Sequence, residues 1–114
     1  MTSITPIVIA KVLDGLAARQ VATAQNIANG NSERYRPVRV TFEENLRSAM
    51  AKGPAAIAQA EPQTEVQPTP SIGTEMRIDL ELATASQTAM RYGALITLLE
   101  SRGALMNAVV SGGR

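Results

Sequence analysis

Residues 82–110 read LATASQTAMRYGALITLLESRGALMNAVV, and their spacing decides the fold. Leu82, Ala85, Ala89, Tyr92, Ile96, Leu99, Gly103, Met106 and Val110 recur at alternating steps of three and four. That is the 3.5-residue period of a helical seam packed against another helix. Leu95, Leu98, Leu105 and Val109 flank the seam and widen its apolar face beyond what a single partner helix needs. The pattern predicts a helix from about Asp79 to Val110, ended by Ser111-Gly112-Gly113. At 1.5 Å per residue it would be roughly 45–50 Å long.

At the other end of the chain, Ile9, Leu13, Leu16, Ala17, Ala24, Ile27 and Ala28 line one face of a second helix. Thr5 is placed to cap it and Pro6 to occupy its first position. Asn29-Gly30-Asn31 tolerates a left-handed backbone and is expected to end it. Pro37 then disfavours helix at Arg36, and Val38, Val40 and Phe42 alternate with Arg39 and Thr41 as in a short strand or extended arm. Thr41 and Glu44 have capping-box spacing for a short helix whose one face carries Phe42, Leu46 and Met50 and which Gly53-Pro54 should stop. Residues 53–74 hold Pro54, Pro62, Pro68 and Pro70 among polar residues, with Ile57, Val66 and Ile72 isolated. They read either as a loose connector or as an arm that becomes extended on meeting a partner.

The expected fold is therefore mainly α: two long terminal helices packing as a coiled-coil-like bundle, with a short extended arm, a short helix and a Pro-rich linker between. Residues 1–52 carry the first helix, turn, arm and short helix; 53–74 are the linker; 75–114 are the long helix that pairs back onto the first. The core is thin, because most of the 45% hydrophobic residues are small and only Phe42, Tyr35 and Tyr92 are aromatic. Such helices bury little area each, so contacts between subunits are expected to complete the core.

Composition also excludes chemistry. There is no Cys for disulfide or thiol reactions and no His to shuttle protons or activate a Ser. The acids pair only locally, as Glu43-Glu44 and Asp79/Glu81, and read as solvated helix ends. No glycine-rich phosphate loop occurs, and Met90 and Met106 lack the His or Cys companions of a metal site. The expectation is a protein that is not an enzyme and has no cofactor or small-molecule substrate. A net charge of +1 gives no field for nucleic acid or an anionic membrane, and the small cluster from Arg34 to Arg39 reads as a subunit contact. No basic residue precedes the first apolar patch, so a cleavable secretory signal is not expected, and no uninterrupted apolar run has bilayer length.

Asn26-Ile27-Ala28-Asn29, six residues ahead of Tyr35 and with Phe42-Glu43 beyond, resembles the N-terminal signature of bacterial flagellar axial proteins. In that family a helix leads into Asn-Ile-Ala-Asn and then a Thr-Pro-Gly-Tyr turn; here Ser32, Glu33 and Arg34 stand in the turn instead. The stretch from Leu13 to Gln20 is similar to the family's first helix. Ile78-Asp79-Leu80-Glu81, Met90-Arg91-Tyr92 and the helix through Met106-Asn107 resemble the proximal-rod members, and the short middle fits them because hook and distal-rod relatives insert large β domains there. The resemblance covers roughly residues 8–50 and 73–113. It implies a building block of the basal-body rod in the periplasmic space, exported unfolded without a cleavable signal by the flagellar type III apparatus. It further implies neighbours that include copies of itself, other rod proteins, the adaptor FliE, the MS ring and the export gate. The residues expected at the assembly interface are Leu13, Leu16, Ala24, Asn26, Ile27, Asn29, Tyr35, Phe42, Tyr92, Ile96, Leu99, Met106 and Val110. A soluble helical adaptor or secretion chaperone shares the amphipathic helices and the lack of reactive groups, and is the alternative.

Overall fold

A computed structural model of the chain describes residues 5–32, 34–67 and 78–112. It is mostly helical, with a long helix at each end and short elements between them. In order these are α1 (Thr5–Ala28), β1 (Val38–Thr41), α2 (Glu43–Lys52), α3 (Pro54–Gln59), β2 (Gln63–Val66) and α4 (Ile78–Gly112). The two long helices pack on each other, as the apolar periods at both ends require, and the arm lies along α1.

The arm is held by pairing rather than by burial alone. Strands β1 and β2 form an antiparallel pair with Val38 opposite Val66 and Val40 opposite Thr64. Part of the stretch read as a linker is thus ordered against the chain itself. α3 occupies Pro54–Gln59 and β2 occupies Gln63–Val66, while the rest of that stretch from residue 68 onward lies outside the described residues. Gly53 makes the break between α2 and α3 with φ of 109°, a backbone state that L side chains rarely adopt, and Pro54 starts α3 where its missing N–H costs nothing.

Two small apolar clusters hold these elements. Leu16, Ala22, Val40 and Phe42 are buried together, with Leu95 of α4 packed on them. Leu46, Ala49 and Ile57 form the second, against Ile7, Val8 and Val12 of α1. Phe42, Leu46 and Ala49 therefore share the inward face of the arm and α2, and Met50 points to solvent. Phe42 rather than Thr41 occupies the cap of α2, without a side-chain cap bond. The neighbouring Glu43 instead accepts a 3.3 Å bond from the Phe42 N–H.

The end of α1 also differs from expectation. No left-handed residue occurs between Asn29 and Ser32; among the described residues only Gly53 has a positive φ. The helix instead unwinds through successive tight right-handed turns, with the Gly30 N–H bonded to Ile27, Ser32 to Asn29 and Tyr35 to Ser32. The Asn29 side chain adds a 2.9 Å bond to the Gln25 carbonyl, which caps the last turn.

Candidate assembly surface

Asn26 lies at the junction of α1, the arm and α4, and is fully buried. A side-chain amide has two N–H donors and an oxygen with two lone pairs, and here all four are used. The amide nitrogen donates to the Val38 carbonyl at 3.0 Å and to Glu81 Oε2 at 3.1 Å. The amide oxygen accepts from the Val38 N–H at 2.8 Å and from the Tyr35 hydroxyl at 2.8 Å. The Asn26 side chain thus forms a rung on the edge of β1 turned away from β2. It satisfies backbone groups that would otherwise need another strand.

Glu81 completes the junction from the first turn of α4. It is only 1% exposed, and its Oε1 pairs with Arg39 Nη1 at 2.9 Å. This is a correction to its expected place on a solvated helix end. Burial is tolerable because each carboxylate oxygen has a partner. Arg39 and Tyr35 are likewise bonded within the chain, and Arg36 donates to the Gln67 carbonyl at 2.9 Å, while Arg34, Arg36 and Arg39 all remain exposed.

A second polar fastening lies two turns earlier on α1. Arg19 donates to the Val40 carbonyl at 2.9 Å and grips both oxygens of Glu43, at 2.7 and 2.9 Å, while its guanidinium stacks 4.8 Å from the centre of the Phe42 ring. The Arg19 bonds hold the Glu43 carboxyl at about 2, well below its ordinary value near 4.5, against a smaller opposing effect of burial. Beneath the ring is Gly15, where an added Cβ would lie 2.4 Å from Phe42 carbons. A glycine inside a helix is here the condition for the arm to reach α1.

The Asn26–Glu81–Arg39 junction fixes which side of α4 faces inward. Glu81 and Thr88 are buried and Leu95 and Arg102 are partly buried, a line repeating every seven residues. The apolar seam read from sequence lies one residue around from it. Of the residues expected at an interface, Leu16, Asn26 and Phe42 are buried inside the chain, and Leu13, Ile27, Tyr35, Ile96 and Leu99 are half-buried. Ala24, Asn29, Tyr92, Met106 and Val110 are exposed. The structure places the first group in the subunit's own core and leaves the last group on the surface. Sequence reading gave no separate role to Gly15 or Arg19, and it placed Arg39 in a subunit contact and Glu81 on a solvated helix end; a buried carboxylate 55 residues from its amide partner leaves no periodic trace.

The surface left open is broad and apolar. Leu82, Met90, Leu98, Leu105, Val109 and Val110 of α4 are all more than half exposed, Met90 to 75%. Between α1 and α4 runs a groove of about 450 Å³ walled by Ala17, Gln20 and Val21 on one side and Ala89, Tyr92 and Gly93 on the other. Helix α4 is long and apolar enough to cross a bilayer by length and composition alone. Glu100 and Arg102 sit in the middle of its most apolar half, however, and a charge at a bilayer centre costs about 2.5–3.5 kcal/mol. No group of three acidic, His or Cys side chains among the described residues is arranged to hold a metal ion.

No family model matches this sequence, and no curated protein matches it significantly.

Proposed function

We propose that this chain is a structural subunit of the bacterial flagellar basal-body proximal rod, of the type named FlgB or its close relative FlgC. It assembles helically through its terminal helices and transmits torque. The observation that carries this reading is the division of labour on α4: Glu81 is pinned to Asn26 of α1 and Arg39 of β1, while Leu82, Met90, Leu98, Leu105, Val109 and Val110 are each more than half exposed among the described residues. Exposed apolar surface of that extent marks a binding surface. A repeated subunit with a non-closing contact forms a shaft. The motif residues that carry the family resemblance, Asn26, Tyr35 and Glu81, meet in one junction, which supports reading them as the device that shapes the subunit.

On this reading the protein is exported through the type III apparatus. It takes its place in the periplasmic rod beside copies of itself, other rod proteins and FliE, near the MS ring and export gate. It has no catalytic role. Mass spectrometry of purified basal bodies from the source organism tests this directly. The chain is expected among the rod proteins, and its replacement by a Met106→Glu variant is expected to abolish motility. A protein absent from basal bodies, and sedimenting instead as a cytoplasmic oligomer of one fixed size, would favour the adaptor or chaperone reading.

A further inference from the structure

The last ten described residues of α4 have no cover among the described residues. Asn26 of α1 meets Glu81, while Leu16, ten residues earlier, packs with Leu95, so the helices run antiparallel. Taken from the Asn26–Glu81 and the Leu16–Leu95 pairings in turn, Thr5 at the start of the described part of α1 falls between Arg102 and Met106, and Arg102 is the last partly buried residue of α4. Every residue from Gly103 to Gly112 is exposed, a projecting end about 15 Å long at 1.5 Å per residue. It carries no charge, and Leu105, Met106, Val109 and Val110 crowd it at 57–65% exposure.

We infer that this projecting end is the occupant of the α1–α4 groove of a second copy. The inference rests on the helical-assembly reading and specifies its contact. The groove wall is also without charge, and its small residues Ala17, Ala89 and Gly93 let a third helix backbone approach closely. Nothing in the groove beyond Gln20, Thr88 and the Tyr92 hydroxyl offers the convergent polar groups that orient a small ligand. Projection and groove lie on the same molecule, about 25 Å apart along α4 at the helical rise, so one copy can give the first and receive on the second. The contact is small. Four side chains and one groove remove several hundred Å² per partner, below the roughly 800 Å² of a standard stable interface. A pair joined this way is weak, and stability accrues as each copy gains a neighbour at both ends. Each added copy makes the same single contact, so chains should lengthen gradually as protein concentration rises and be long only at high concentration.

The cysteine-free chain makes the test clean. Gln20→Cys and Val109→Cys are introduced together; both positions are exposed, so the fold is expected to tolerate them. Within one chain Gln20 faces the α4 segment near Thr88, about 30 Å from Val109, far beyond the ~7 Å that a disulfide can span. Mild oxidation of the double variant should give a ladder of dimers, trimers and higher species on a non-reducing gel, and either single variant should give none beyond dimer. Cross-linking of the double variant that stops at dimer overturns the head-to-tail contact. So does an absence of cross-linking while the unmodified protein still sediments as polymers, a result that leaves the rod reading standing. Unmodified protein that stays monomeric at every concentration overturns both.

Discussion

At the Asn26 end of the helix pair, polar side chains pin three segments together; at the Val110 end, one helix carries exposed apolar residues with no cover among the described residues. At the pinned end Asn26 and Glu81 are buried, yet the contacts are carried by Asn, Glu, Arg and Tyr. The free end is apolar and exposed. Hydrophobic burial is non-directional, so a thin Ala-rich core cannot by itself choose which stripe of α4 faces α1. Hydrogen bonds can, because an unpaired buried amide or carboxylate is expensive in every wrong rotation. The polar junction sets the orientation of α4, and that orientation delivers the apolar stripe to the outside.

The sharpest way to break this contrast is Asn26→Leu. The substitution keeps the volume but strands the Val38 N–H and carbonyl and leaves a Glu81 oxygen without its donor. With three stranded groups at about 1–3 kcal/mol each, the expected loss is at least about 3 kcal/mol. Chemical denaturation should register it, and amide exchange should quicken first along β1, with no change in residues 103–112. Uniform protection in the variant would mean that the junction does not direct the packing.

Gly15→Ala probes the same end through sterics. Ala is the better helix former by about 1 kcal/mol, but its methyl would sit inside the Phe42 ring. Overpacking costs of about 1–3 kcal/mol should outweigh that gain and leave a net loss of about 1 kcal/mol. Adding Phe42→Ala supplies the missing space, so the double variant should lose less than the two single losses combined. Additive losses would indicate that the ring and Gly15 are not in contact.

A smaller effect comes from the Arg19–Glu43 pair. Glu43 has a folded pKa of about 2 against an ordinary 4.5. The folded state therefore binds its proton less readily than the unfolded chain. The pair's contribution is fully present above about pH 4.5, declines as pH falls, and is gone below about 2. Half of the Glu43 side chain is exposed, so screening should hold the contribution under about 1 kcal/mol. Denaturation midpoints of Glu43→Gln, measured at about pH 6 and about pH 2.5, should converge toward the unmodified protein at the lower pH.

The helices are legible in the sequence because their signal is local and periodic: α1 ends at Ala28, directly before Asn29-Gly30-Asn31, and α4 is helical over the whole stretch its apolar period marks. The rotation of α4 is not. Hydropathy selects the greasiest stripe as the buried one, whereas the inward line contains Glu81, Thr88 and Arg102. Strand β2 is equally hidden, since Gln63-Thr64-Glu65-Val66 is exposed at all four positions and owes its order to pairing with β1 more than 20 residues earlier. Tyr35 and Asn26 stand out as motif residues. Their spacing says nothing of the carboxylate that meets them from the far end of the chain.

The same Gly→Ala change should reverse its sign at the free end. A Cβ at Gly93 or Gly103 meets nothing within 4 Å, so the helix-forming advantage of Ala stands unopposed and each substitution should stabilise the isolated chain by roughly 0.5–1 kcal/mol. Gly93 differs from Gly103 in one respect: it forms the groove wall. If a neighbouring helix packs closely there, Gly93→Ala should raise the melting temperature and also raise the protein concentration needed for polymer formation. Gly103→Ala shares the first effect, and any change in its assembly would have to arise from the projecting end rather than the groove. Comparing the two variants by thermal melting and sedimentation separates what glycine does for the subunit from what it does for its neighbour. Equal concentration dependence of assembly would place the neighbour's helix away from Gly93.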